Sequence, residues 1–170
     1  MMTRIHSTPR RTWATAVLLA VALAACSDAT GPLPREGAPD ELKFTFSSFG
    51  SGVTIVELDD EGVAVTRIPW GYVTGMPIVP VRVVPTAAAW AEFWEAAEQA
   101  GLRRWRSEYL AEGVVDGAGW GLRIVTDDAV IDSHGSNAYP DRRGREHEME
   151  MTDDFRAFLE AIGTLAGQDF

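Results

Sequence analysis

Leu42-Lys43-Phe44-Thr45-Phe46-Ser47 alternates apolar and polar side chains without a break, and this stretch decides the class of the fold. A period of two places Leu42, Phe44 and Phe46 on one face of an extended chain and Lys43, Thr45 and Ser47 on the other, the pattern of a strand buried on one side. Phe49-Gly50-Ser51-Gly52 follows as a turn. Residues 53–58 and 63–68 are two further β-branched runs, separated by the turn-forming Asp59-Asp60-Glu61-Gly62. Consecutive strands joined by short turns predict an antiparallel meander.

Downstream, residues 69–85 hold four prolines among Ile78, Val79, Val81, Val83 and Val84. Proline cannot donate to a sheet ladder, so this reads as a loop and then an edge strand. Thr86 can cap a helix on which Trp90, Phe93, Trp94 and Ala97 share one face, with Gly101 ending it. Trp120, Leu122 and Ile124 alternate before Asp127-Asp128, with Val130-Ile131 after it, which predicts a second hairpin over 119–133. A polar loop over 133–150 leads to Thr152, the cap of a closing helix with the stripe Phe155, Phe158, Leu159, Ile162 and Leu165. Asp153 and Asp154 fall at the positive end of that helix. The expectation is a single α+β domain over 42–170, an antiparallel sheet of two hairpin or meander units with two helices packed on one face.

Upstream of the domain the pattern is of another kind. Residues 1–12 are basic and polar, carrying Arg4, Arg10 and Arg11, and 13–25 form an uncharged apolar run. The run is shorter than the ~20 residues a membrane-spanning helix needs and fits the apolar core of a secretory signal. Leu23-Ala24-Ala25-Cys26 resembles the lipobox of bacterial lipoproteins. That resemblance implies cleavage before Cys26, a thioether-linked lipid on its sulfur and acylation of the new amino terminus. Ser27, rather than Asp, at the next position resembles the outer-membrane sorting pattern. Residues 1–25 are therefore expected to be a signal peptide, and 26–41, rich in Gly and Pro, a lipidated terminus and flexible tether. The mature chain is expected outside the cytoplasm on the cell membrane or outer membrane, with the lipid on Cys26 as its membrane partner.

Charge narrows the remaining possibilities. The chain has 15 basic and 25 acidic residues, a net charge of −10, and loss of the three signal arginines takes it to −13. Such a balance repels phosphate backbones and argues against nucleic acid and against polybasic docking on anionic lipid. Cys26 is the sole cysteine, so no internal disulfide forms and no thiol is left for catalysis. Gly50-Ser51-Gly52 and Gly135-Ser136-Asn137 lack the flanks of a nucleophile elbow. Asp40 stands three residues before the sole lysine, Lys43, so no S-x-x-K pair exists there. His134 and His147 are too few to predict a metal centre, and no phosphate-cradling loop predicts a nucleotide cofactor.

Aromatic residues concentrate in the second half, at Trp90, Trp94, Trp105, Tyr109, Trp120 and Tyr139, and such side chains serve both cores and recognition surfaces. Trp90 and Trp94, Trp105-Arg106 with Tyr109, Asp116-Gly117 with Trp120, and Gly135-Ser136-Asn137-Ala138-Tyr139-Pro140 together resemble a group of bacterial domains sharing a G-[SD]-N-A-Y-P loop. The resemblance spans about residues 86–167 and implies a recurrent fold without implying an activity. Trp105, Tyr109, Trp120, His134, Asn137 and Tyr139 form the candidate binding surface. Segment 135–140 is read as a latch, with Tyr139 against the tryptophans and Gly135 supplying unusual backbone angles, or else as a holder of Asn137 and Tyr139 toward a ligand. The functional expectation is a lipid-anchored envelope protein that binds an envelope protein or ligand. The alternative is a hydrolase-like enzyme using acidic residues and His134 near 133–140.

Overall fold

The computed structural model describes residues 32–75, 77–114 and 116–170. The signal segment 1–25, Cys26 and Ser27 lie outside the described residues. The strands are β1 (Glu41–Ser48), β2 (Gly52–Asp59), β3 (Gly62–Ile68), β4 (Val81–Val83), β5 (Glu108–Leu110), β6 (Gly119–Thr126), β7 (Ala129–Ser136), β8 (Ala138–Pro140) and β9 (Glu146–Glu148). The helices are α1 (Ala87–Gln99), followed by a 3-10 turn at Leu102–Arg104, and α2 (Asp153–Ala166).

The fold is α+β, and the sheet is larger than two hairpin units. Seven strands run in the order β4-β3-β2-β1-β6-β7-β5, with β8 and β9 as a separate pair. The join is β1, which pairs antiparallel with both β2 and β6, Phe44 standing between Val56 and Leu122. β5 pairs parallel with β7, so the sheet is mixed. The expected polar loop is also structured: β7 runs on to Ser136, and β8 and β9 form a short antiparallel ladder.

The period-two pattern builds the core. Val65, Val56, Phe44 and Leu122 lie side by side in register and are all buried, as are Leu42, Ile124 and Ile131 one step along. Phe158 of α2 packs edge-on to Phe44 at 6.1 Å between ring centroids and also contacts Phe93 of α1. Both helices thus close over this face. Each side chain of that size contributes about 1.5–3 kcal/mol on full burial. The caps are as the residue types dictate: Thr86 accepts from the Ala89 N–H and Thr152 from the Phe155 N–H, while Gly167 ends α2 in the left-handed region. Thr152 also donates its hydroxyl to the Pro140 carbonyl at 2.5 Å, tying β8 to α2.

Part of the expected tether lies on the domain. Leu33 is buried in the core cluster, and the Trp94 indole donates to the Gly37 carbonyl at 2.8 Å. The chain meets the sheet at Asp40, whose N–H donates to Val125. No helix among the described residues is long and apolar enough to cross a membrane.

Candidate functional site

The candidate surface read from the sequence divides between core and solvent. Trp105, Tyr109, Trp120, Asn137 and Tyr139 are buried, and His134 alone is exposed. Trp105 stacks on Phe155 at 5.6 Å, and Trp120 and Tyr139 contact the same ring at 4.9 and 5.1 Å. The polar atoms are used internally. Trp105 donates its indole N–H to Ala100, Trp120 donates to Ala138, and the Tyr109 hydroxyl accepts from the Arg106 N–H and donates to the Gly144 carbonyl. Burial pushes the ionisation of Tyr109 and Tyr139 up, keeping both hydroxyls neutral. Trp105, Trp120 and Tyr139 thus pack on α2, Tyr109 packs on Trp120, and Asn137 bonds to the chain ahead of β6, so the five are used inside the fold.

Segment 135–140 has the geometry of the latch. Asn137 sits at φ 52°, its Oδ1 accepts from the Ala118 N–H at 2.8 Å, and its N–H donates to the Ala118 carbonyl at 2.8 Å. Its own carbonyl accepts from Met149 at 2.6 Å. The unusual backbone angle expected of Gly135 belongs to Asn137 instead. Gly135 is required for space, since a Cβ there would overlap the Trp120 indole nitrogen and the Ala138 carbonyl oxygen.

His134 projects from the other face of the sheet, where its Nε2 lies 3.3 Å from a Glu108 carboxylate oxygen and both side chains are about half exposed. Ser133 points the opposite way and donates to the Arg106 carbonyl at 2.6 Å, so the strand separates the two. The acid–base alternative therefore reduces to the His134–Glu108 pair, with Ser133 out of reach. Among the described residues no three His, Cys, Asp or Glu side chains converge for a metal ion.

Sequence reasoning passed over two features. Asp141 is a buried carboxylate between β8 and β9. Burial opposes its ionisation, but the Arg145 N–H and guanidinium, the Arg143 N–H and His147 outweigh it and hold the carboxyl well below the ordinary range. Those partners close the 141–145 turn, so this charge is structural.

The second feature is exposed. Phe49, in the β1–β2 turn, and Trp70, in the loop after β3, are 67% and 65% accessible, and their rings contact each other at 5.3 Å. Gly52 makes the contact possible: at φ +92° it lies so close to the loop that a Cβ would overlap the Ile68 carbonyl and stand 2.9 Å from the Trp70 nitrogen. Val73, three residues after Trp70 in the same loop, is 67% accessible. No ionisable side chain other than Tyr72 occurs in 49–52 or 69–75, an uncharged tip on a strongly acidic molecule. The signal was present in the sequence, since Trp70 falls between Pro69 and Gly71, outside every periodic run, whereas Trp90, Trp94 and Trp120 fall on apolar faces.

No family model, curated protein or solved structure matches this chain.

Proposed function

We propose that this chain is a lipid-anchored envelope protein whose domain binds a partner protein through the Phe49–Trp70 tip. The observation that carries the reading is a pair of large aromatic rings, two-thirds exposed and in mutual contact, in a domain that buries most of its other tryptophans. Exposed apolar patches on soluble domains mark interaction sites, and tryptophan is prominent among residues that dominate binding energy. Position supports a partner away from the lipid. The chain enters at Glu41, whereas Ser48, Gly52 and Ile68 lie together at the other end of the sheet. The eight residues of β1 span about 27 Å between those ends. The tip's lack of charge suits an apolar protein surface better than a charged polymer.

The test compares the chain from Cys26 onward with F49A/W70A in pull-downs from envelope extract, followed by affinity measurement on the captured protein. The expected result is a partner whose affinity falls about 30-fold or more in the double variant, the effect of losing an interface hot spot. Thermal unfolding stays within the small range of surface substitutions. A partner retained equally by both forms overturns the tip as the site.

A further inference from the structure

We infer that the sheet face turned away from α1 and α2 joins two copies of this chain, packed face to face about a two-fold axis that runs along the strands between β1 and β2. The inference goes beyond the tip reading, since it uses neither Phe49 nor Trp70.

The alternation that sends Leu42, Phe44 and Phe46 toward the helices sends their neighbours on β1 the other way. Register then sets rows across the outer face. Lys43 stands between Glu57 of β2 and Arg123 of β6, Thr45 between Ile55 and Gly121, and Ser47 between Val53 and Gly119. None of these residues is buried. Ile68 of β3 extends the last row beyond Val53. The large apolar side chains thus stand on β2 and β3, and the small residues on β1 and β6.

This asymmetry makes the face complementary to itself. The two-fold axis lays β2 of one copy over β1 of the other, and β3 over β6. Ile55 then faces Thr45 of the second copy, Val53 faces Ser47, and Ile68 faces Gly119, large on small. Along the charged row Glu57 faces Lys43, and two strands further out Arg82 of β4 faces Asp132 of β7, acid on base in both cases. Arg123 faces Ala64 and stays bonded to Glu41 and Asp132 of its own chain. Glu41 and Asp59, which approach at the Glu41 end, are each held by an arginine of their own copy, Arg123 and Arg82. Glu108 and His134 are bonded to each other at the β5 margin. Opposed potentials across an interface fix its register and exclude wrong arrangements.

The size of the face suits a second copy. Six of the seven strands overlap in this arrangement, and at ~4.8 Å between strands and ~27 Å along β1 the shared face measures about 650 Å² in projection. Each partner of a standard interface buries about 800 Å² of accessible surface, a scale that a projected face of this size reaches once side-chain relief is included. Face-to-face sheets keep their strand directions within about 30° of each other, as an axis along the strands requires. The β4 edge is the poorer contact, because Pro80 and Pro85 bracket its three residues and cannot donate to a ladder. With the axis along the strands, both Glu41 ends lie on one side of the pair and both Phe49–Trp70 tips on the other.

The experiment uses the chain from Cys26 onward, which keeps every described residue, with C26S so that no disulfide links two copies. Mass is read by sedimentation over a concentration series, and a reversible dimer is expected. T45R sets a long charged side chain against Ile55 of the second copy and is expected to leave a monomer. E57K sets like charges face to face and is expected to weaken the dimer about tenfold or more, whereas K43E/E57K restores opposite charges and the parent's dissociation constant. All three variants keep the parent's thermal midpoint, as surface substitutions do, and the charge exchange carries the test independently of T45R. F49A/W70A is expected to dimerise as the parent does. A monomer at every concentration, or a dimer indifferent to both T45R and E57K, overturns the inference. Loss of the dimer in F49A/W70A, with T45R still dimeric, assigns self-association to the tip and overturns it as well.

Discussion

At Asn137 one residue, through side chain and backbone together, holds three segments. Its backbone occupies the left-handed region, where Asn is among the few residues other than glycine that are tolerated, and its amide reaches the chain ahead of β6. Asn137→Ala leaves the Ala118 N–H without its acceptor and is expected to lower stability by about 1–3 kcal/mol, read from the urea midpoint. An unchanged midpoint would show that 135–140 does not latch the fold. Asp141 makes a pH-dependent contribution. Its folded carboxyl ionises below the usual range, so its stabilisation is present above the unfolded carboxyl's pKa of about 3.9 and fades as pH falls through the lower folded value. Asp141→Asn is expected to lose the part of the acid-to-neutral rise in stability that this group supplies. Parallel stability–pH curves for the two forms would contradict that assignment.

Elements were legible where periodicity alone specifies them. β1, β2, β3 and both helices follow from apolar spacing and Thr caps, because each has enough residues to display its period. β5, β8 and β9 have three residues each, too few for a pattern, and exist through tertiary bonds such as His134 N–H to Ser107 and Leu110 N–H to Glu146. The β1–β6 ladder that merges the two hairpins joins Phe46 to Trp120, and no turn residue announces a pairing so distant in sequence. The candidate surface failed for a related reason. An aromatic residue's exposure depends on what packs over it, and Phe155 of α2 covers the Trp105, Trp120 and Tyr139 rings together. α2 is accordingly the element on which the core depends most. Phe158 has no exposed surface and touches Phe44, Phe93 and Trp105, so Phe158→Ala is expected to destabilise by about 3–5 kcal/mol. A denaturation midpoint equal to wild type would mean that α2 is not packed as described.

On the scale of the whole molecule, the aromatic tip lies at the end of the sheet opposite Glu41, where the chain reaches β1, and a lipid on Cys26 is proposed to hold the domain on its membrane. No helix among the described residues is long and apolar enough to cross a membrane. A lipid chain, by contrast, contributes about 0.8 kcal/mol per buried methylene, and several chains anchor stably. Cys26→Ser is therefore expected to move the protein from the membrane fraction to the soluble envelope fraction without altering its thermal midpoint. Fractionation with a high-salt wash separates lipid anchoring from ionic adsorption. Release of the variant at ordinary salt, with the parent chain resisting the wash, is the outcome a lipid anchor requires. A folded variant that still sediments with membranes through that wash would leave the anchor reading without support, and some contact other than lipid would have to hold the domain in place.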